Sequence, residues 1–157
     1  MGKHSAGILL FRWAGPEIEV LLAHPGGPFW KNKDDGAWSI PKGEYGNNED
    51  PFAGAKREFA EETGLTPSGD FIPLGEIRQP GGKVVTVWAV EGDFDTTKLR
   101  SNTFSLPWPP HTGNLQEFPE IDRAEWFTLD VARRKILKGQ AEFLDRLATQ
   151  QPPAPPL

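Results

Sequence analysis

Residues 43–65 read GEYGNNEDPFAGAKREFAEETGL and place six acidic side chains from Glu44 to Glu62. Carboxylates can take a proton from water or hold a cation, and four of these (Glu49, Glu58, Glu61 and Glu62) have a spacing that a helix could bring together. Asp50 is a good N-cap, and Pro51 suits the first helical position, where a missing N–H costs nothing. Gly64 fits the position just past the end. A helix is therefore expected over Pro51–Thr63. Phe52, Ala55 and Phe59 would form its buried stripe, while Glu58, Glu61 and Glu62 fall within an arc of about 100° on another face.

A solvated acidic face is the ordinary explanation of such a run, and it fits badly. Glu58 and Glu62 form a like-charge i, i+4 pair, which destabilises an isolated helix. Glu61 and Glu62 lie in the last turn, where the helix dipole disfavours anions. Only Arg57 is near enough along the chain to compensate. Clustered carboxylates without Cys or His among them favour hard divalent cations such as Mg²⁺ or Mn²⁺.

The rest of the chain must position this stretch. Its 157 residues suit one domain, expected over residues 1–149, with a Pro-rich, disordered tail at 150–157. A formal net charge of -5 argues against a broad basic face for nucleic acid, though not against a small anionic ligand beside a metal ion. The absence of cysteine excludes disulfides, thiolate metal sites and cysteine nucleophiles. The start, MGKHSAGILLFRW, has no signal-peptide pattern, and no apolar run is long enough to span a membrane, so a soluble, cytoplasmic protein is expected.

Apolar and β-branched runs predict strands at residues 5–13, 17–24, 38–40, 71–79, 83–91 and 124–128. Pro41 should end the third of these. Residues 129–147 suit one or two helices broken near Gly139, and residues 25–36 suit a loop. Residues 93–119 show no period and read as a long loop. Strands and helices mix without strict alternation, which predicts an α/β or α+β fold with a mixed sheet.

The acidic stretch also resembles a known pattern, the Nudix box G-x5-E-x7-R-E-U-x-E-E-x-G-U, with U an apolar residue. Gly43, Glu49, Arg57, Glu58, Phe59, Glu61, Glu62, Gly64 and Leu65 fill every defined position. Phe59 is aromatic where Leu or Ile is commoner. The resemblance implies a Nudix-type α/β/α sandwich around a central mixed sheet, with a strand–loop–helix built from the box. It implies Mg²⁺-dependent hydrolysis of a nucleoside diphosphate linked to another group, such as a nucleoside triphosphate or a dinucleoside polyphosphate. Carried over, Glu61 and Glu62 are metal ligands, Glu58 is a further ligand or the general base, and the Gly43 carbonyl completes the shell. Arg57 would orient a carboxylate, with Glu49 as its partner. The family also implies a monomer or homodimer.

Many members of the family place another Glu six residues ahead of a Trp, and Glu120 precedes Trp126 by that interval, with Glu117 as the alternative. The stretch from Trp38 to Gly43 resembles the W-x-x-P-K-G lead-in of dinucleoside polyphosphate hydrolases. Lys42, Arg78 and Lys83 are candidates for phosphate contact; Trp30, Trp88 and Trp108 are candidates for stacking on a base. The histidines, His4, His24 and His111, show no metal or triad spacing. The other function considered is a catalytically silent nucleotide-binding regulatory module, which the intact box disfavours. An isoprenoid diphosphate isomerase on the same fold needs a cysteine that this chain lacks.

Overall fold

The computed structural model describes residues 3–150. Its spine is β1 (His4–Ala14), which turns at Gly15 and Pro16 into β2 (Glu17–Pro25). β1 is buried without interruption from Ser5 to Phe11, because the sheet is covered on both faces. Side chains alternate across a strand. Ala6, Ile8 and Leu10 accordingly enter one core, and Leu9 and Phe11 enter another. A strand covered on both sides reads as an apolar run rather than an alternation.

β1 lies parallel to β5 (Val84–Glu91) along one edge. Along its other edge it pairs antiparallel with β2 near its end and with β3 (Lys42–Glu44) near its start. β4 (Phe71–Arg78) pairs with β5, and β8 (Ile121–Thr128) pairs with β2. The sheet order is β4-β5-β1-β2-β8, with β3 attached to β1. α1 (Pro51–Thr63) puts Ala55 and Phe59 into the core with Ile8 and Leu10. On the opposite face, α2 (Leu129–Lys135) and α3 (Ala141–Gln150) contribute Ala132, Phe143, Leu144 and Leu147. The result is the expected α/β/α sandwich with a mixed sheet.

Several elements differ from the sequence expectation. Residues 38–40 form no strand: Trp38 and Ser39 make single bridges to Ile136 and Ala23. The strand lies beyond Pro41, where Lys42–Glu44 meet the stretch of β1 that β2 leaves free. Residues 93–119 are not structureless. They hold a 3-10 turn at Thr96–Lys98 and a separate hairpin of β6 (Thr103–Pro107) and β7 (Leu115–Pro119), in which Phe104 faces Phe118. Its prolines at strand ends obscured the pattern, although edge strands tolerate them. β8 begins at Ile121 rather than 124, since the polar Asp122 and Arg123 hide its first residues. α2 ends at Lys135, and a 3-10 turn at Lys138–Gln140 surrounds the expected break. Gln150 closes α3, and residues 151–157 of the expected tail lie outside the described residues. No helix among the described residues is long and apolar enough to cross a membrane.

Candidate active site

α1 forms for the reasons its sequence suggests. The Asp50 carboxylate accepts from the Ala53 N–H at 3.0 Å, and Pro51 opens the first turn. Gly64 adopts φ 85° and donates its N–H to the Ala60 carbonyl at 2.8 Å. Gly43, in β3, lies directly against this helix. A Cβ built there would sit 2.1 Å from the carboxyl carbon of Glu58. Any larger residue there would have to displace the Glu58 carboxylate.

Arg57 ties the box together. Its Nε and Nη2 donate to the two oxygens of Glu49 at 2.8 and 2.9 Å, a bidentate fork. Its Nη1 donates to Glu58 Oε1 at 2.9 Å and reaches Glu61 at 3.3 Å. The hydrogen bonds from Arg57 hold Glu49 below the usual carboxylate range.

Glu62 has no such partner in Arg57. It is 8% exposed, and burial, together with the charges of Glu58 and Glu120, pushes its carboxyl from 4.5 up to about 8. The charge and the backbone N–H of Lys42 oppose that rise. Burial also raises Glu58, assisted by Glu61 and Glu120 and opposed by Arg57. Glu58, Glu62 and Glu120 therefore act on one another, although Glu120 lies far along the chain.

Main-chain hydrogen bonds place Glu120. The Asn102 N–H donates to the Glu61 carbonyl at 3.0 Å, and the Glu120 N–H donates to the Asn102 carbonyl at 2.8 Å. The Gly26 N–H then donates to the Glu120 carbonyl at 2.9 Å. Beside this chain, Ser101 Oγ accepts from the Ile121 N–H at 2.9 Å. Sequence reasoning missed Ser101 and Asn102. No side-chain motif could have marked Asn102, because its peptide groups do the work. Glu117, the alternative to Glu120, lies on β7 opposite Ser105.

The phosphate candidates separate. Lys42 is half-buried on β3, and burial lowers its pKa, with the nearby charge of Lys83 adding to that effect. Arg78 pairs with Val84 on β4, three strands from β3. At strand spacing its backbone is about 14 Å from that of β3. Trp88 packs against Phe52 at 5.0 Å and belongs to the core. Trp108 meets Phe29 edge-on at 5.5 Å. His24, unpromising in sequence, is fully buried, with ring nitrogens 2.8 Å from Asp122 Oδ1 and 2.7 Å from the Lys33 carbonyl. Its partner Asp122 is 98 residues away, which is why no spacing revealed it.

The side chains gathered here suit a hard divalent ion: carboxylates, with no sulfur. Burial first, and then the neighbouring carboxylates, raise Glu58 and Glu62, and a cation would offset both effects. Among the described residues, however, no three Asp, Glu or His side chains form a ready-made cage. Arg57 turns Glu58 and Glu61 toward itself, so both would have to exchange its N–H groups for the ion.

Against known families, the NUDIX domain model matches residues 2–147. The chain belongs to the NUDIX family. Over 162 aligned residues it is 31% identical to a nucleoside triphosphate pyrophosphatase/Nudix hydrolase fusion protein of Bifidobacterium longum. That match takes in 94% of this chain but only 29% of the relative's length. Solved structures with the same fold include the NUDIX domain of Shewanella oneidensis NrtR complexed with ADP ribose, at TM-score 0.65 and 16% identity, covering 97% of this chain and 90% of that one. A Caenorhabditis elegans Ap4A hydrolase in a binary complex gives TM-score 0.58 at 21% identity, covering 94% and 96%. The MutT protein from Methanosarcina mazei Go1 gives 0.61 at 20%, covering 96% of each chain.

Proposed function

We propose that this NUDIX domain hydrolyses a diphosphate linkage in a nucleoside diphosphate joined to another group, a nucleoside triphosphate or dinucleoside polyphosphate being the leading classes. The observation that carries it is Glu62, buried on the helix of a complete box, whose carboxyl is pushed up to about 8 by burial and by the charges of Glu58 and Glu120. Glu58, Glu61, Glu62 and the Gly43 carbonyl would hold Mg²⁺, with Mn²⁺ as a substitute. A divalent ion there supplies charge neutralisation for the diphosphate and a more acidic water. Arg57 keeps Glu49 and the carboxylates of α1 in register. Lys42 and Lys83 offer positive charge to phosphate. Either Glu58, whose raised pKa suits a base, or the exposed Glu120 takes the proton from the attacking water.

A panel of nucleoside triphosphates, dinucleoside polyphosphates and nucleotide sugars, assayed with Mg²⁺ for released phosphate or pyrophosphate, tests the substrate class. Glu61→Gln and Glu62→Gln should each lower turnover at least 100-fold while melting as cooperatively as the parent. Full activity in both would end the site assignment. Nucleotide binding without turnover under Mg²⁺ and Mn²⁺ would instead favour a silent binding module.

A further inference from the structure

A second concave site adjoins Glu120. The loop after β2 and the β6–β7 hairpin enclose a groove of about 350 Å³, lined by Gly27, Pro28, Lys31, Trp108, Gln116, Phe118, Pro119 and Asp122. That volume is at the lower end of small-ligand pockets, ~300–1,000 Å³. Two lining residues, Pro119 and Asp122, flank Glu120 in sequence. The groove is built rather than incidental. A Cβ on Gly26 would meet the Pro119 carbonyl oxygen at 2.0 Å, and one on Gly27 would meet the Phe104 ring at 2.9 Å. His24 fixes the loop to β8 from below through Lys33 and Asp122.

The same two segments expose apolar surface. Phe29 at 62%, Trp30 at 36% and Leu115 at 70% are the exposed large hydrophobics among the described residues. All three lie on the loop or the hairpin. Large apolar surface left beside a polar site marks a ligand or a partner.

We propose that this groove takes the purine base of the nucleotide whose diphosphate is cleaved beside it, Trp108 and Phe118 supplying the stacking faces. This rests on the nucleotide reading given above. An aromatic wall suits a flat ring, and a two-ring base covers more of it than a one-ring base. Gln116 can donate and accept, and Asp122 can accept from an amino or imino N–H. With Asp122 Oδ1 held by His24, Oδ2 is its remaining acceptor. Lys31 adds a cation at the same groove. Continuity with Glu120 favours a base over a protein partner: Pro119 and Asp122 of the groove flank that carboxylate in sequence, and Gly26, next to Gly27 of the wall, donates its N–H to the Glu120 carbonyl.

Two measurements on the full chain test this. In EDTA, AMP, GMP, CMP and UMP are titrated by calorimetry into the parent, Trp108→Ala and Trp108→Phe. The purine monophosphates should bind more tightly than the pyrimidines. Trp108→Ala should weaken them roughly 5- to 150-fold, the range that base–aromatic stacking spans, and Trp108→Phe should restore most of it. With Mg²⁺, Trp108→Ala should raise KM for the nucleotide substrate and leave kcat near the parent value. The corresponding base-free ribose polyphosphate should be hydrolysed equally by parent and variant. Hydrolysis unaffected by Trp108→Ala overturns the base site while the proposed activity stands. Monophosphate binding that depends on Trp108, in a chain that hydrolyses no panel substrate, supports the base site and sinks the activity. Self-association abolished by Leu115→Asp, without monophosphate binding, overturns the base site in favour of an interface between copies.

Discussion

Glu62 sets the electrostatic character of the site. Its carboxyl, raised from 4.5 to about 8 by burial and by Glu58 and Glu120, favours the proton in the folded chain. A group raised in this way stabilises the fold fully below about pH 4.5, and that contribution is lost as pH climbs toward 8. In EDTA, the chain should therefore melt at a lower temperature at pH 8.5 than at pH 5. Glu62→Gln, which mimics the neutral acid, should narrow that gap, and Mg²⁺ should narrow it in the parent by binding the ionised carboxylates. Differential scanning calorimetry across that pH range reads all three. A gap unchanged by both the substitution and the metal would place the charge excess elsewhere. Arg57 shows the complementary case: its two-pronged grip on Glu49 depends on a planar guanidinium, which a lysine cannot reproduce.

At the scale of elements, α1 was legible from end to end. A cap, a proline and a left-handed glycine are local signals, and they act on the residues that carry them. β1, β2 and β5 were legible for the related reason that apolar runs need cover on both faces, and β4 was legible from its apolar start and the turn that leads into β5. β6 and β7 were not, because each is a short segment closed by a proline with no apolar run to mark it. β3 was implied by the box resemblance but not by any apolar run, because its existence depends on how much of β1 the β2 strand leaves open. Phe59, the soft departure in the box, is fully buried beside Ile8 and Leu10. Phe59→Leu keeps most of that volume and should cost less than about 1.5 kcal/mol, whereas Phe59→Ala should cost about 3–5 kcal/mol. Urea unfolding of both variants checks this. Equal losses would mean that the core beneath α1 does not distinguish size.

Across the whole molecule, the site draws on parts that the sequence leaves far apart: β3, α1, the turn at Ser101 and Asn102, and the start of β8. Glu49, Glu58, Glu61 and Glu62 could be named from spacing alone. The proximity of Glu120 to them, the bridge from His24 to Asp122 and the groove at Trp108 could not, since each is created by chain reversal. The link from Glu61 through Asn102 to Glu120 is made of peptide groups, and it should be visible in hydrogen exchange. The amides of Asn102 and Glu120 lie outside helices and strands, yet they should exchange far more slowly than their exposed neighbours; rapid exchange at both would mean that the link is open in solution. Because no side chain makes that link, replacing one residue by another leaves it intact, apart from proline, which has no N–H to give. The Glu120–Asn102 hydrogen bond closes the base of the hairpin, so the remote carboxylate stays tied to the box helix whatever the length of the hairpin's tip. A proline at 102 or 120, rather than any change of side chain, is therefore the substitution that would shift the remote carboxylate away from the box helix.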